Sequence, residues 1–154
     1  MKPMIFIPVF LLLSNSLLAQ DSSKALSFSG YAEAYYQYDF NKPSDGNRPG
    51  FVYSHSRHNE FNLNLGLAKV SYTTERVRGN LALGAGTYMN ANYAAEPAVL
   101  KNIMEANAGI RISKKKELWI DAGIIPSHIG FESAISKDCW TLTRSILADN
   151  SPYF

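Results

Sequence analysis

The sequence predicts an all-β chain, the N-terminal part of an antiparallel transmembrane β-barrel, on three observations. Apolar and polar residues alternate with a period of two along about six segments. The links between those segments run long, short, long, short, long. No stretch beyond residue 20 is apolar and long enough to cross a bilayer as a helix.

Composition sets the frame. The 154 residues are 46% hydrophobic, enough for a packed fold and too many for wholesale disorder. Fifteen Lys+Arg against 13 Asp+Glu give +2, with no basic stripe or charged tail, so nothing points to nucleic acid. One cysteine supports neither a disulfide framework nor a cysteine zinc site. Nine Tyr and eight Phe beside only 18% charged residues favour strands.

Residues 1–19 read as a secretory signal peptide, leaving 20–154 as the barrel segment. Lys2 precedes an apolar run from Met4 to Leu13, and Ala19 is a small residue at a plausible cleavage point. Pro8 interrupts the run, which is short for a membrane span. The chain is therefore expected to be exported.

The first strand is expected over Ser27–Phe40. Phe28, Gly30, Ala32, Ala34, Tyr36, Tyr38 and Phe40 form its apolar face, opposite Tyr31, Glu33, Tyr35, Gln37 and Asp39. The second, Glu60–Tyr72, sets Phe61, Leu63, Leu65 and Leu67 against Asn62 and Asn64. Its parity then changes to Ala68, Val70 and Tyr72, which calls for a bulge near Leu67-Ala68. Val77–Tyr88 sets Val77, Gly79, Leu81, Leu83 and Ala85 against Arg78 and Asn80. Ile103–Ser113 sets Met104, Ala106, Ala108, Ile110 and Ile112 against Glu105, Asn107 and Arg111. Leu118–Ile125 sets Leu118, Ile120, Ala122 and Ile124 against Trp119, Asp121 and Gly123. A sixth strand over Thr141–Ala148 is the least regular, because it puts Arg144 on the face of Leu142 and Ile146.

The links carry as much information. Residues 73–76 and 113–117 are short and polar, as tight hairpins require, whereas 41–59, 90–102 and 126–139 are long. In a meander this collects every long loop at one end, the asymmetry of outer-membrane barrels. A sheet in hydrocarbon must close, since lipid cannot hydrogen-bond a free edge. Tyr36, Tyr38, Phe40 and Phe61 at one end and Phe28 and Tyr72 at the other fit paired aromatic girdles. Such barrels start at about eight strands, so six imply that strands follow in a longer chain or that several chains share one barrel. The terminal residues 148–154, with Pro152, show no alternating last strand and favour the first option.

The stretches GYAEAYYQYDFNKP (30–43), EFNLNLGLAKVSY (60–72), LALGAGTYMNANYAAEP (81–97), LWIDAGIIPSHIGFESAIS (118–136) and WTLTRSILADNSPYF (140–154) resemble a family of bacterial outer-membrane porins, described as beta-barrel porin type 2 or OmpL-like. The resemblance covers nearly all of the mature chain. It implies an outer-membrane barrel roughly twice this length with a water-filled interior. It brings no catalytic or ligand residues.

The residues themselves offer little catalysis and imply no cofactor or metal. Ser54, His55, Ser56, Arg57 and His58, with Glu60 just beyond them, lie in or beside a long loop without a ligand spacing, so a solvated loop is expected there. Gly84-Ala85-Gly86 lies within a strand, where close packing or a bend is expected rather than a nucleotide cradle. Cys139 reads as a structural thiol. The expected function is passive diffusion of small hydrophilic solutes, with outer-membrane lipid outside and association of several copies left open. The pore-lining candidates are Tyr31, Glu33, Tyr35, Gln37, Asp39, Asn62, Asn64, Arg78, Asn80, Glu105, Asn107, Arg111 and Asp121, whose four acids and two bases lean towards cations. The loop 126–139, with Ser127, His128 and Glu132, is a candidate constriction. Two alternatives stand beside the channel: a lipid-modifying hydrolase using Ser127 and His128, and a soluble secreted binding module.

Overall fold

The computed structural model describes residues 25–127, 132–141 and 144–149. Its centre is one antiparallel sheet in the order β1-β2-β3-β4-β5, formed by Leu26–Tyr36, Phe61–Thr73, Val77–Ala85, Ile103–Ser113 and Leu118–Ile124. Every strand pairs with its neighbours in sequence, as a meander requires, and β1 and β5 are the open edges. The sheet is a partial barrel wall. The residues 1–19 read as a signal peptide lie outside the described residues.

Both expected short links are tight turns. In the first, the Thr74 hydroxyl donates to the Val77 carbonyl and accepts from the Val77 N–H, each at 3.0 Å. In the second, Ser113 Oγ accepts from the Lys116 N–H at 3.2 Å. The three long links all leave the opposite end of the sheet.

The two faces of the sheet differ as the alternation demands. The outer face exposes Phe28, Leu81, Leu83, Ile110 and Ile120, with Phe28 67% and Ile110 57% accessible. A water-soluble sheet buries such a surface, so this exposure argues for a lipid-facing wall. At the loop end Tyr36 stacks on Phe61 at 5.0 Å between ring centres, while Phe28 and Tyr72 stand near the turns. Eight residues along β1 separate Phe28 from Tyr36, roughly 26 Å at about 3.3 Å per residue, and the usual tilt of about 40° reduces that to about 20 Å of height. That is the scale of a lipid-facing band.

Two irregularities lie elsewhere than expected. The β1–β2 register shifts between Glu33 and Ala34, whose partners are Leu65 and Leu63, so the extra residue is Asn64 rather than one near Leu67-Ala68. Leu65, fully buried, and Leu67 therefore belong to the inner face. A second shift makes Met104 the extra residue opposite Ala82-Leu83, and it too turns inward, away from its expected apolar partners. Both corrections have one cause: an extra residue inverts which side the following side chains take.

Two strands end early. Pairing of β1 stops at Tyr36 because its partner chain breaks at Asn59, in left-handed geometry at φ 56° with its N–H on the Gln37 carbonyl. Pairing of β3 stops at Ala85 because Gly86 (φ 132°) turns the chain into α1, Thr87–Asn92. A Cβ at Gly86 would collide with the Asn64 carbonyl, and one at Gly84 would stand 2.9 Å from Met89 Sδ. The bend and close packing expected of Gly84-Ala85-Gly86 are both present.

The sixth expected strand is replaced. Among its described residues, Ile146–Asp149 form a helical turn, α2, and Arg144 is buried. An arginine on a lipid-facing strand costs several kcal/mol near the midplane, about 2–4. The segment instead folds onto the inner face.

Candidate functional site

The inner face is built in cross-strand rows. Lys69, Ala82 and Glu105 are register partners on β2, β3 and β4. Ala82 is small, so the Lys69 ammonium reaches over it to Glu105 Oε2 at 2.5 Å. One row nearer the turns, Ser71 donates to Asn80 at 2.8 Å, Asn80 to Asn107 at 3.0 Å, and Asn107 to Glu105 Oε1 at 3.0 Å. In the next row Arg78 reaches across Gly109 to Asp121, with Nε–Oδ1 at 2.7 Å and Nη2–Oδ2 at 2.5 Å. The guanidinium also lies 4.4 Å from the Trp119 ring centre. Nearest the turns, Arg111 pairs with Glu117 at 2.6 Å. The polar groups of these inner-face rows thus find partners within the wall.

The Gly109 position is open to a direct test. A Cβ there would collide with the Asp121 carboxylate and stand 3.2 Å from Arg78 Cγ. Gly109→Ala is expected to part the bidentate pair and lower the urea midpoint for unfolding in lipid vesicles. In an Asp121→Ala background the same change should cost distinctly less, because the colliding group is gone. Equal losses in both backgrounds would show that Gly109 serves another purpose.

At the loop end the long links pack into the inner face as one plug. Tyr88 and Met89 of α1 are buried against Leu65 of the sheet and Ala134 of the third long loop. His55 is buried, its Nε2 2.6 Å from Glu33 Oε1, and Glu33 also accepts from Tyr31 at 3.0 Å. The His55 N–H donates to Asn64 Oδ1 at 2.9 Å, which gives the bulged residue a partner. The expected solvated loop at Ser54-His55 is therefore overturned: both are buried, because Glu33 offers an acceptor and Arg144 a donor inside the sheet.

Arg144 fastens the plug. Its guanidinium donates to Ser54 Oγ, to the carbonyls of Ser133 and Ala134 at 2.9 Å each, and to Asp149 Oδ1 at 3.3 Å. It also lies 5.0 Å from the Tyr88 ring centre. One side chain so joins all three long links. Burial pushes the Asp149 carboxyl above the usual carboxylate range, against the pull of Arg144. Glu132 accepts from the Ser145 hydroxyl at 2.6 Å and its N–H at 3.0 Å, which hold its carboxyl below the usual range. The Cys139 thiol donates to the Ser133 carbonyl at 3.2 Å, the structural role expected of it.

The sequence-read residues fall into three groups. Tyr31, Glu33 and Tyr35 share the inner side with Asn64, Arg78, Asn80, Glu105, Asn107, Arg111 and Asp121, half-buried or buried. Gln37, Asp39 and Asn62 sit at the loop end, where the Asp39 N–H donates to His58 Nδ1 and Asn62 donates to Glu60. Glu60 in turn pairs with Arg57, which lowers its carboxyl. Ser127 and Glu132 line a cavity beneath the plug, and His128 lies outside the described residues. Sequence reasoning passed over Lys69, although its parity opposite Ala68 and Val70 already placed it inward. It missed Arg144 because a strand was expected there. Among the described residues, no group of three or more His, Cys, Asp or Glu is placed to hold a metal ion.

An antiparallel meander with an apolar outside, an ion-paired inside and loops gathered at one end defines a porin-type transmembrane β-barrel wall. Residues 25–154 match the family model described as "Putative beta-barrel porin-2, OmpL-like", and the chain belongs to that family. No curated protein matches the chain, and no solved structure matches it. Membership points to an outer-membrane channel rather than an enzyme.

Proposed function

We propose that the chain supplies one wall of an outer-membrane channel for passive diffusion of small hydrophilic solutes. The observation that carries this reading is the sheet's sidedness: exposed Leu, Ile, Val and Phe on one face, and hydrogen-bonded ion pairs on the other. Further strands close the barrel, and residues 1–19 direct export and are removed. Tyr31, Glu33, Tyr35, Gln37, Asp39, Asn62, Asn64, Arg78, Asn80, Glu105, Asn107, Arg111 and Asp121 line the pore, with Lys69 added. That addition makes four acids and three bases, three of the acids and all the bases tied in the pairs or rows described, so the inner wall carries less cation preference than the acids alone suggest.

The plug forms the constriction. Its support is the inward packing of Ala134, Ile135 and Arg144 against the sheet and α1. In planar bilayers the full-length protein is expected to give stepwise conductance, and removal of residues 126–139 to raise both conductance and solute size limit. A protein that inserts without any conductance would refute the channel. Unchanged conductance after the deletion would refute only the constriction.

A further inference from the structure

Beneath the plug lies a cavity of about 300 Å³, between the inner face of β2–β4 and the residues Pro126, Ser127 and Glu132 to Ile135. It has room for about ten waters, the scale of an amino-acid-sized solute. Its wall is apolar on several sides, with Leu67, Met104, Pro126 and Ile135, and its charged groups include Lys69 and Glu105. Glu132 also faces it, but its carboxylate is taken up by Ser145.

The Lys69–Glu105 pair has unused capacity of both signs. An ammonium carries three donors, of which Glu105 takes one, and each oxygen of Glu105 retains a lone pair beyond its bonds to Lys69 and Asn107. The Lys69 side chain remains 30% accessible and lines the cavity. The pair also has a direction, from a cation on β2 to an acid on β4. The Arg78–Asp121 pair repeats that direction one strand over, from β3 to β5. Two parallel dipoles therefore stand across the wall.

We infer that this cavity is a subsite for small zwitterions with an apolar body, of the α-amino-acid class, lying antiparallel to the Lys69–Glu105 pair. The solute's carboxylate meets the free donors of Lys69, its ammonium meets Glu105, and its side chain meets Leu67, Met104 and Ile135. A lone cation or anion gains one contact and is repelled by the other member of the pair. The inference rests on the channel reading and specifies the solute class at the same site.

The test is interruption of potassium current through the full-length protein by leucine, leucinamide and N-acetylleucine, which share one apolar body and differ in charge. Leucine is expected to reduce the current at a concentration roughly fivefold lower than either analogue, the effect of the one modest charge contact that leucine makes and each analogue lacks. The double variant Lys69→Met with Glu105→Gln, which leaves no orphaned charge, should abolish the preference, read as the ratio of the three interrupting concentrations in whatever potassium current the variant passes. The exchanged pair, Lys69→Glu with Glu105→Lys, should retain it. Stronger interruption by leucinamide, or equal effects of all three, would overturn the zwitterion subsite and leave the channel standing. Absence of potassium current would overturn both.

Discussion

Replacing Arg144 with methionine is expected to open the plug and raise single-channel conductance while the barrel stays folded. The side chain is 1% exposed and is bonded to Ser54, the carbonyls of Ser133 and Ala134, and Asp149. Methionine keeps most of the volume and removes every donor. Two carbonyls and one carboxylate then remain buried without them. Removal of one partner from such a buried arrangement costs about 3–5 kcal/mol, and the plug has only a small apolar core to resist it. Protease cleavage should appear in the links around residues 41–59 and 94–102, with the strands still protected. Arg144→Lys should rescue little, because one ammonium cannot reproduce a fork of donors aimed at four acceptors. Unchanged conductance together with protected loops would show that Arg144 does not hold the plug.

Placing arginine at Leu81 is expected to destabilise the membrane-inserted protein by about 2–4 kcal/mol, while arginine at the adjacent Asn80 costs little. Leu81 is central in β3, paired with Val70 and Ala106, and exposed on the outer face. Asn80 is its neighbour in sequence but points to the polar side, within hydrogen bonds to Ser71 and Asn107. The contrast turns on the environment, because both variants gain the same side chain and the same single charge at adjacent positions of one strand. Urea unfolding in lipid vesicles measures it. Equal tolerance at both positions would contradict a lipid-facing outer surface and favour a water-soluble sheet.

The wall of this barrel was largely legible in the sequence because a strand's sidedness is local. Successive side chains point to opposite faces whatever lies beyond them, so Leu81 and Leu83 declare one side and Arg78 and Asn80 the other. The links 73–76 and 113–117 were equally plain, since a short polar link between two alternating runs leaves room only for a hairpin. Asn64 and Met104 show where this logic fails. A bulge inserts one residue whose position depends on the neighbouring strand, and the parity change that betrays it can be placed several residues along the chain from the bulge itself.

The plug was not legible, and the reason is distance along the chain. Arg144 bonds Ser54 across 90 residues, and His55 reaches Glu33 across 22. No periodicity in either loop announces these contacts. A buried arginine in a segment with apolar neighbours reads as a poor strand until three loops are seen converging on it.

Period-two alternation, the order of long and short links and the aromatic ends were thus determined by the sequence alone, because backbone geometry translates each of them directly into a sided, membrane-spanning meander. The inward course of the long loops, the bulges at Asn64 and Met104, and the charge pairs spanning Ala82 and Gly109 were decided only by tertiary structure. Each of those depends on which groups from separate strands and loops meet in one space, and there the pairing of buried charged and polar groups overrides local preference.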